Sequence, residues 1–188
     1  MKDTLFYTGT GDTGTTTRLQ GRKRLSKADA LLEALGTLDE ATSTLGVARA
    51  QALSPPVQRT LLESQRRLYR LMSHLSAVPE ARANYPGLTG EDVMWLEQEI
   101  AQLEARLPPL EGFVLPGDSP TGAACHLARA TVRRAERRVV VLTDREANIG
   151  PDNLAFLNRL SSYLFAAALY EDLQAGHTPT AARAPQEH

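Results

Sequence analysis

The chain has 188 residues, enough for one domain with a sizeable apolar core. Its 21 basic and 22 acidic residues give a net charge of -1, which argues against bulk electrostatic binding to nucleic acid or an anionic membrane. The single cysteine, Cys125, excludes an internal disulfide and a cysteine-rich metal site. No apolar run approaches the roughly 20 residues that span a bilayer. The first residues lack the apolar stretch of a secretory signal, so we expect a cytoplasmic protein.

The first segment of the chain is rich in glycine and threonine. Residues 7–18 read YTGTGDTGTTTR, before any helical periodicity begins. Glycines allow the backbone to turn its N–H groups toward one point, and threonine hydroxyls add donors, which is the chemistry of a phosphate-binding loop. The segment is not a Walker-type loop, because it lacks the Gly-Lys-Ser/Thr ending and does not directly open a helix. A polar segment without a ligand is the alternative interpretation at this point.

Helical periodicity from about residue 28 onward predicts five long helices. The first two are expected over residues 29–53 and 56–77. The third begins at the capping-box sequence TGED, residues 89–92, and ends near Leu107. The fourth runs from an N-cap at Ser119 to about residue 142. The fifth is expected over residues 151–174, with Gly176 as its C-cap.

Five long helices without a convincing strand predict an all-α, antiparallel five-helix bundle. Residues 1–28 would form a loop of the same domain, residues 29–175 the bundle, and residues 176–188 a disordered polar tail. Met94 and Trp95 are expected in the core or at a helix interface. The core candidates of the first two helices are Leu31, Leu32, Leu35, Leu38, Leu45, Val47, Leu61, Leu62, Leu68, Leu71 and Leu75.

The fourth helix carries five arginines and one glutamate within residues 129–138, RATVRRAERR. At about 100° per residue, one side combines Arg129, Arg133, Glu136 and Arg137. This side borders an apolar stripe that includes Cys125, which we interpret as a small core residue. A cationic edge beside a core is typical of polyphosphate recognition. A solvated, salt-bridged helix face is the alternative.

The fifth helix places an amide, Asn158, inside an apolar pattern. It has two interpretations, a structural hydrogen bond or a ligand contact. No Ser/His/Asp or Cys/His arrangement is recognisable, so the sequence offers no protein nucleophile.

Five segments in this order resemble the PduO-type ATP:cob(I)alamin adenosyltransferases. They are residues 7–14 (YTGTGDTG), 33–40 (EALGTLDE), 107–117 (LPPLEGFVLPG), 133–138 (RRAERR) and 156–161 (FLNRLS). The resemblance covers residues 7–171. It implies a five-helix bundle that forms a homotrimer with active sites between subunits. It also implies that cob(I)alamin attacks the 5′ carbon of ATP, forming adenosylcobalamin and releasing triphosphate.

The resemblance also implies roles for single residues. Arg133 would contact the nucleotide, and Arg129 would pair with Asp39 across a subunit boundary; these three are the implied catalytic residues. Phe113 would crowd the lower face of the corrin of cobalamin. Mg²⁺ would be held mainly by the phosphates of ATP rather than by protein side chains. The implied ATP-binding residues are Thr8, Gly9, Thr10, Gly11, Gly14, Thr15, Thr16, Lys27, Glu136 and Asn158.

The chain departs from the family pattern at several positions. Lysine is usual where this chain has Gly9 and Thr13, and aspartate is common at the position of Ser162. In the second helix, Arg70, Met72 and His74 replace the usual Asp, Gly and Asp. The missing loop lysines keep open a catalytically weak relative that binds and delivers or senses adenosylcobalamin or nucleotide. A further alternative is an interaction bundle in which the arginine helix is merely solvated. The protein partners considered are a reductase and an adenosylcobalamin-dependent enzyme.

Overall fold

The computed structural model describes residues 7–110, 112–144 and 149–183. Its five long helices are α1 (Ala30–Gln51), α2 (Pro55–Ser76), α3 (Gly90–Glu104), α4 (Pro120–Thr143) and α5 (Pro151–Gln174). A short 3₁₀ helix, Pro79–Asn84, lies between α2 and α3. The prediction of an all-α bundle of five helices is therefore confirmed, and helix boundaries differ from the expected ones by three residues at most.

Three helix starts show why the chain enters each helix where it does. The Asp29 carboxylate accepts the Leu31 N–H at 2.9 Å at the start of α1. Thr89 donates its backbone N–H to the Asp92 carboxylate at 2.9 Å, as the capping-box sequence predicts for α3. The Ser119 hydroxyl accepts the Gly122 N–H at 2.9 Å at the start of α4. These contacts satisfy backbone donors that would otherwise lack acceptors in the first turn.

Helix α1 packs against α2 and α4, while α5 packs against α4 and α3. The buried residues of α1 recur every seven positions, so they form one continuous seam that faces the interior of the bundle. Small alanines in this seam and in α4 allow the two helix backbones to approach closely. The fully buried seam residues of the two helices are Ala34, Leu38, Ala41, Leu45, Ala48, Cys125, Ala128, Val132, Ala135 and Val139.

Two core predictions are wrong. Val47 is 48% exposed and Met94 is 54% exposed, because each lies on the outward side of a helix whose neighbouring positions fill the core. The other candidates are buried or half-buried. Trp95 packs beneath the Arg67 guanidinium, which lies 3.7 Å from the centre of its ring.

The N-terminal segment contains a small hairpin that the sequence pattern did not indicate. Strand β1 (Thr15–Thr17) pairs antiparallel with β2 (Arg24–Ser26), with Thr16 opposite Leu25. Each strand has only three residues, too few for an alternating pattern to stand out. The hairpin is fixed to the bundle by Arg18, whose Nη2 donates to the carbonyls of Leu75 and Ala77 at the end of α2.

Residues 177–183 also differ from the expected disordered tail. The Leu115 N–H donates to the Thr180 carbonyl at 2.8 Å, and the Ala182 N–H donates to the Phe113 carbonyl at 2.7 Å. Asp118 accepts the Thr180 N–H at 2.8 Å. Backbone hydrogen bonding to a neighbouring extended segment therefore orders this stretch, despite its polar composition. The remaining tail residues, 184–188, lie outside the described residues.

Candidate functional site

The glycine- and threonine-rich segment forms a compact loop with two tight turns. The Asp12 N–H donates to the Gly9 carbonyl, and the Gly14 N–H donates to the Gly11 carbonyl, both at 3.2 Å. Gly9 has φ of 72° and Gly14 has φ of 73°, in the left-handed region that favours glycine. The path of the loop thus depends on glycine at these two positions.

Two cations of the hairpin lie against this loop. The Lys27 backbone N–H donates to the Gly14 carbonyl at 2.9 Å. Its Nζ lies 3.0 Å from the position that a Cβ at Gly11 would occupy, so Gly11 makes room for the lysine. The second cation, Arg24, hydrogen-bonds to Thr10 and Thr15. Sequence reasoning selected Lys27 and missed Arg24; recognising the hairpin would have placed Arg24 beside the threonines.

Four of the five arginines at residues 129–138 of α4 divide into two groups, and the fifth, Arg137, is exposed. Arg134 pairs with Glu40, and Arg138 lies 3.3 Å from Glu33, so both bind the neighbouring helix α1. Arg129 and Arg133 instead line an open groove. Neither makes a hydrogen bond or ion pair within the described part of the chain, and the Nε of Arg129 is buried without an acceptor there. The predicted common side of Arg129 and Arg133 agrees with this arrangement, whereas Arg137, predicted on the same side, does not line the groove.

Glu136 and Asn158 lie together beside this edge. The Asn158 amide donates to Glu136 at 3.4 Å, and Arg159 donates to the Asn158 Oδ1 at 2.9 Å. Arg159 is itself held by Glu97 of α3 at 2.9 Å. Helices α4 and α5 thus bring two predicted nucleotide contacts into one polar cluster, with a carboxylate and an amide available to a ligand.

The groove has a volume of about 990 Å³ and lies between the end of α3, helices α4 and α5, and residues 178–181. Its lining is mainly apolar, and its polar members are Glu104, Arg129, Arg133, Ser161, Ser162 and Thr178. Phe113 precedes the lining residue Val114 and is 87% exposed. An aromatic ring so exposed has no packing role within the described chain. None of the described residues 7–29 lines the groove.

Cys125 and His126 lie beneath the arginine edge. Both are buried, and burial raises the pKa of the Cys125 thiol to about 12, so the prediction of a core cysteine holds. Burial, followed by the nearby positive charge of Arg129, lowers the pKa of His126. The His126 ring packs edge-on against Phe165, with the centroids 5.7 Å apart. Neither side chain is arranged as a nucleophile.

The departures in α2 contribute to packing around α3. Arg70 pairs with the buried carboxylate of Asp92, which also accepts from Arg67 at 3.1 Å. His74 contacts the Tyr85 carbonyl through Nδ1 at 2.8 Å. Met72 is half-buried against the core. These residues therefore have structural partners in this chain.

No cluster of three or more His, Cys, Asp or Glu side chains that could hold a metal ion occurs in residues 7–110, 112–144 and 149–183. Within these ranges, none of the helices has the continuous apolar length that spanning a bilayer requires.

Residues 6–171 match the protein family described as Cobalamin adenosyltransferase. The Corrinoid adenosyltransferase of Bacillus subtilis is 40% identical over 175 residues, which cover 91% of this chain and 88% of that protein. Corrinoid adenosyltransferase PduO of Salmonella typhimurium is 39% identical over 174 residues, 90% of this chain. This chain spans only 50% of the length of that Salmonella protein.

Solved structures of PduO-type adenosyltransferase variants from Lactobacillus reuteri have the same fold. One, complexed with ATP, is 31% identical with a TM-score of 0.84, over 95% of this chain and 100% of that chain. Another, complexed with cobalamin and ATP, is 32% identical with a TM-score of 0.85, over 95% and 99% of the two chains. With its family match, its relatives and its fold in agreement, the chain belongs to the cobalamin adenosyltransferase family.

Proposed function

We propose that this protein transfers the 5′-deoxyadenosyl group of ATP to the cobalt of cob(I)alamin. The Co–C bond forms as the bond between the 5′ carbon and the triphosphate oxygen breaks, and triphosphate leaves with that bond's electron pair. The observation that carries the proposal is a cationic edge, Arg129 and Arg133, which lines a large and mainly apolar groove and makes no ion pair with the described residues. Such a combination suits a polyphosphate nucleotide next to a large, partly apolar cosubstrate.

The reduced cobalt is the nucleophile, so the protein's task is to position the substrates and stabilise charge. We assign the triphosphate to the N-terminal loop, with Lys27 as the nearby cation. Arg133, Glu136 and Asn158 would orient the nucleotide. Mg²⁺ fits this arrangement as an ion bound mainly by ATP phosphates, since phosphate oxygens are its usual ligands and the described residues offer no carboxylate cluster.

We assign the lower face of the corrin to the apolar groove beside Phe113. The exposed ring stands where it can displace a lower axial ligand of cobalt, which would make cob(II)alamin easier to reduce. Ser162 lines the same groove at a position where relatives commonly carry aspartate, so the side chain at that position is uncharged in this protein. We place the reaction in the cytoplasm, whose reducing environment suits a reduced cobalt and a free cysteine.

We further propose that the active enzyme is a homotrimer in which Arg129 pairs with Asp39 of a neighbouring subunit. Within one chain, Thr44 and Thr131 hydroxyls are 2.8 Å apart and Glu40 pairs with Arg134, so α1 and α4 run antiparallel. Asp39 lies five residues, about 7.5 Å along α1, to one side of the Thr44–Thr131 contact. Arg129 lies on the other side of that contact, so the two side chains are far apart within one chain. A partner subunit is therefore the better source of the carboxylate that pairs with Arg129.

A paired charge reversal tests this assembly. Asp39→Arg and Arg129→Asp should each lower the trimer fraction in analytical ultracentrifugation and weaken ATP binding, because each places like charges together. Combining both substitutions should restore a large part of the loss. A double variant no better than either single variant would contradict the pairing.

The activity itself is tested anaerobically with ATP, Mg²⁺ and chemically reduced cobalamin, by following the corrin spectrum for formation of the Co–C bond. Arg133→Met should lower kcat/KM by at least about tenfold, because charge-assisted contacts of arginine are worth about 1.5–3 kcal/mol. Arg138→Met is the matched control, since Arg138 lies on the same helix but pairs with Glu33. Absence of Co–C bond formation by the unmodified protein would refute the activity.

The loop motivates a second candidate function, a relative that binds and delivers or senses adenosylcobalamin. Gly9 and Thr13 stand where relatives usually carry lysine, and the left-handed conformation at Gly9 is one that lysine adopts rarely. This candidate predicts tight binding of adenosylcobalamin without turnover. Measured turnover with cob(I)alamin would reject it. Interaction with a reductase or an adenosylcobalamin-dependent enzyme is compatible with either candidate.

A further inference from the structure

Arg24 connects the two ends of the N-terminal loop. Its Nη2 donates to the Thr10 carbonyl at 2.6 Å and to the Thr15 carbonyl at 2.8 Å. The Thr15 hydroxyl lies 2.6 Å from the same Nη2 and 3.0 Å from Nε. One planar guanidinium therefore fixes the distance between residues 10 and 15, with the turn that Gly11 and Gly14 close between them.

These contacts favour anion binding because they occupy two backbone carbonyl oxygens that would otherwise repel an anion. A backbone loop binds an anion when its N–H groups face the ligand and its carbonyl oxygens face elsewhere. The carbonyls of Thr10 and Thr15 are directed at the guanidinium of Arg24. Their partial negative charges are thereby neutralised, and they stay turned toward β2.

The charge of the loop strengthens the inference. Residues 8–17 read TGTGDTGTTT, and their only charged side chain is Asp12. The loop alone is thus formally negative, which opposes a polyphosphate. Arg24 and Lys27 both contact the loop and reverse the sign of this local charge.

We propose that Arg24 is a positioning residue of the ATP site. It holds residues 10–15 in the conformation that receives the triphosphate and, with Lys27, supplies the positive charge that the loop lacks at Gly9 and Thr13. The inference rests on the proposed function, since it concerns the same ATP site.

The test compares Arg24→Gln and Arg24→Lys with Arg22→Gln. Arg22 is exposed in the same segment and makes no hydrogen bond to the described loop residues, so its replacement removes an equal charge without removing the contact. Binding of ATP and of AMP, each with Mg²⁺, is measured by calorimetry without corrinoid. Thermal unfolding of each variant reports whether the bundle is intact.

Arg24→Gln should weaken ATP binding by about tenfold or more, because it removes several charge-assisted hydrogen bonds. Binding of AMP should change by less than about threefold, because AMP lacks the β and γ phosphates. Arg24→Lys should recover only a part of the ATP affinity that Arg24→Gln loses, since an ammonium group cannot reproduce the planar donor geometry of a guanidinium. In the enzyme assay, KM for ATP should rise while KM for cobalamin stays unchanged.

Wild-type ATP affinity in Arg24→Gln would overturn the inference and leave the adenosyltransferase proposal intact. An equal loss in Arg22→Gln would also overturn it, because bulk charge would then be the cause. Equal losses for ATP and AMP would indicate a general structural role and count against it. If the unmodified protein bound no ATP, the proposed function itself would fail, together with the role of Arg24.

Discussion

Replacing Gly122 with alanine tests the packing between the start of α4 and the end of α5. Gly122 lies in the first turn of α4, and its N–H is capped by the Ser119 hydroxyl. The same hydroxyl donates to the buried Asp172 carboxylate at 2.6 Å. A Cβ at Gly122 would lie 2.6 Å from the Asp172 Cγ and 2.7 Å from its Oδ2, far inside normal contact distance. The absence of a side chain is thus what permits the Ser119–Asp172 contact.

The expected cost combines three effects. Forcing an extra methyl group into a packed site costs about 1–3 kcal/mol. Displacing Asp172 breaks its hydrogen bond with Ser119, and a hydrogen bond to a charged group contributes about 1.5–3 kcal/mol. Alanine recovers at most about 1 kcal/mol through its higher helix propensity. We therefore expect Gly122→Ala to lower the free energy of unfolding by about 1.5–5 kcal/mol.

Urea denaturation followed by circular dichroism, at fixed protein concentration, measures this change as a shift in the transition midpoint. Gly90→Ala is the matched control. Gly90 also lies in the first turn of a helix, but a Cβ there would meet no atom within 4 Å. The control should unfold within about 1 kcal/mol of the wild type. A Gly122→Ala protein as stable as this control would refute the assigned clash.

Further predictions concern pH, thiol chemistry, a helix junction and the groove. Burial disfavours the ionised form of Asp92, but the Thr89 N–H and Arg70 outweigh this effect and lower the pKa of Asp92. The stability that Asp92 contributes should therefore be present above pH about 4 and be lost as the pH falls through the lowered pKa. Asp92→Asn should flatten the acid side of the curve of stability against pH. Cys125, with its pKa raised to about 12, should resist alkylation by iodoacetamide at pH 8 and react only after unfolding; rapid labelling of the native protein would contradict its burial. Glu171→Ala should cost about 2–5 kcal/mol in thermal or urea unfolding, because its carboxylate accepts both N–H groups at the α1–α2 junction. Phe113→Ala should leave ATP affinity unchanged but slow adenosylation that starts from cob(II)alamin. An unaltered rate would show that Phe113 does not displace the lower axial ligand.

Much of the fold could be predicted from local chemistry. The capping-box sequence at Thr89 and the Ser119 N-cap set helix starts through contacts within three residues, so the sequence contains all the groups involved. The same holds for the left-handed Gly176 that follows α5. The common side of Arg129 and Arg133 was also predictable, because residues four positions apart lie on the same face of a helix.

The candidate site was predictable only in part. The motif residues of the loop, of α4 and of α5 could be selected by family resemblance, and so could Lys27, which follows β2. The contact between Asn158 and Glu136 joins two helices and needs the packing of α4 on α5. Val47 and Met94 were misassigned, because an apolar residue within a periodic pattern does not reveal which neighbouring helix reaches it.

The sequence by itself determined the helical class, the helix starts, the balance of charge and the family, because these depend on composition, on short-range hydrogen bonds and on motifs in a fixed order. Only the tertiary structure decided the short hairpin, the ordering of residues 177–183 and the position of Arg24. In each case the partners are backbone groups brought together by chain folding, such as the Thr10 and Thr15 carbonyls. Backbone acceptors are the same in every residue, so the side-chain sequence carries little information about which of them a distant arginine or strand will meet.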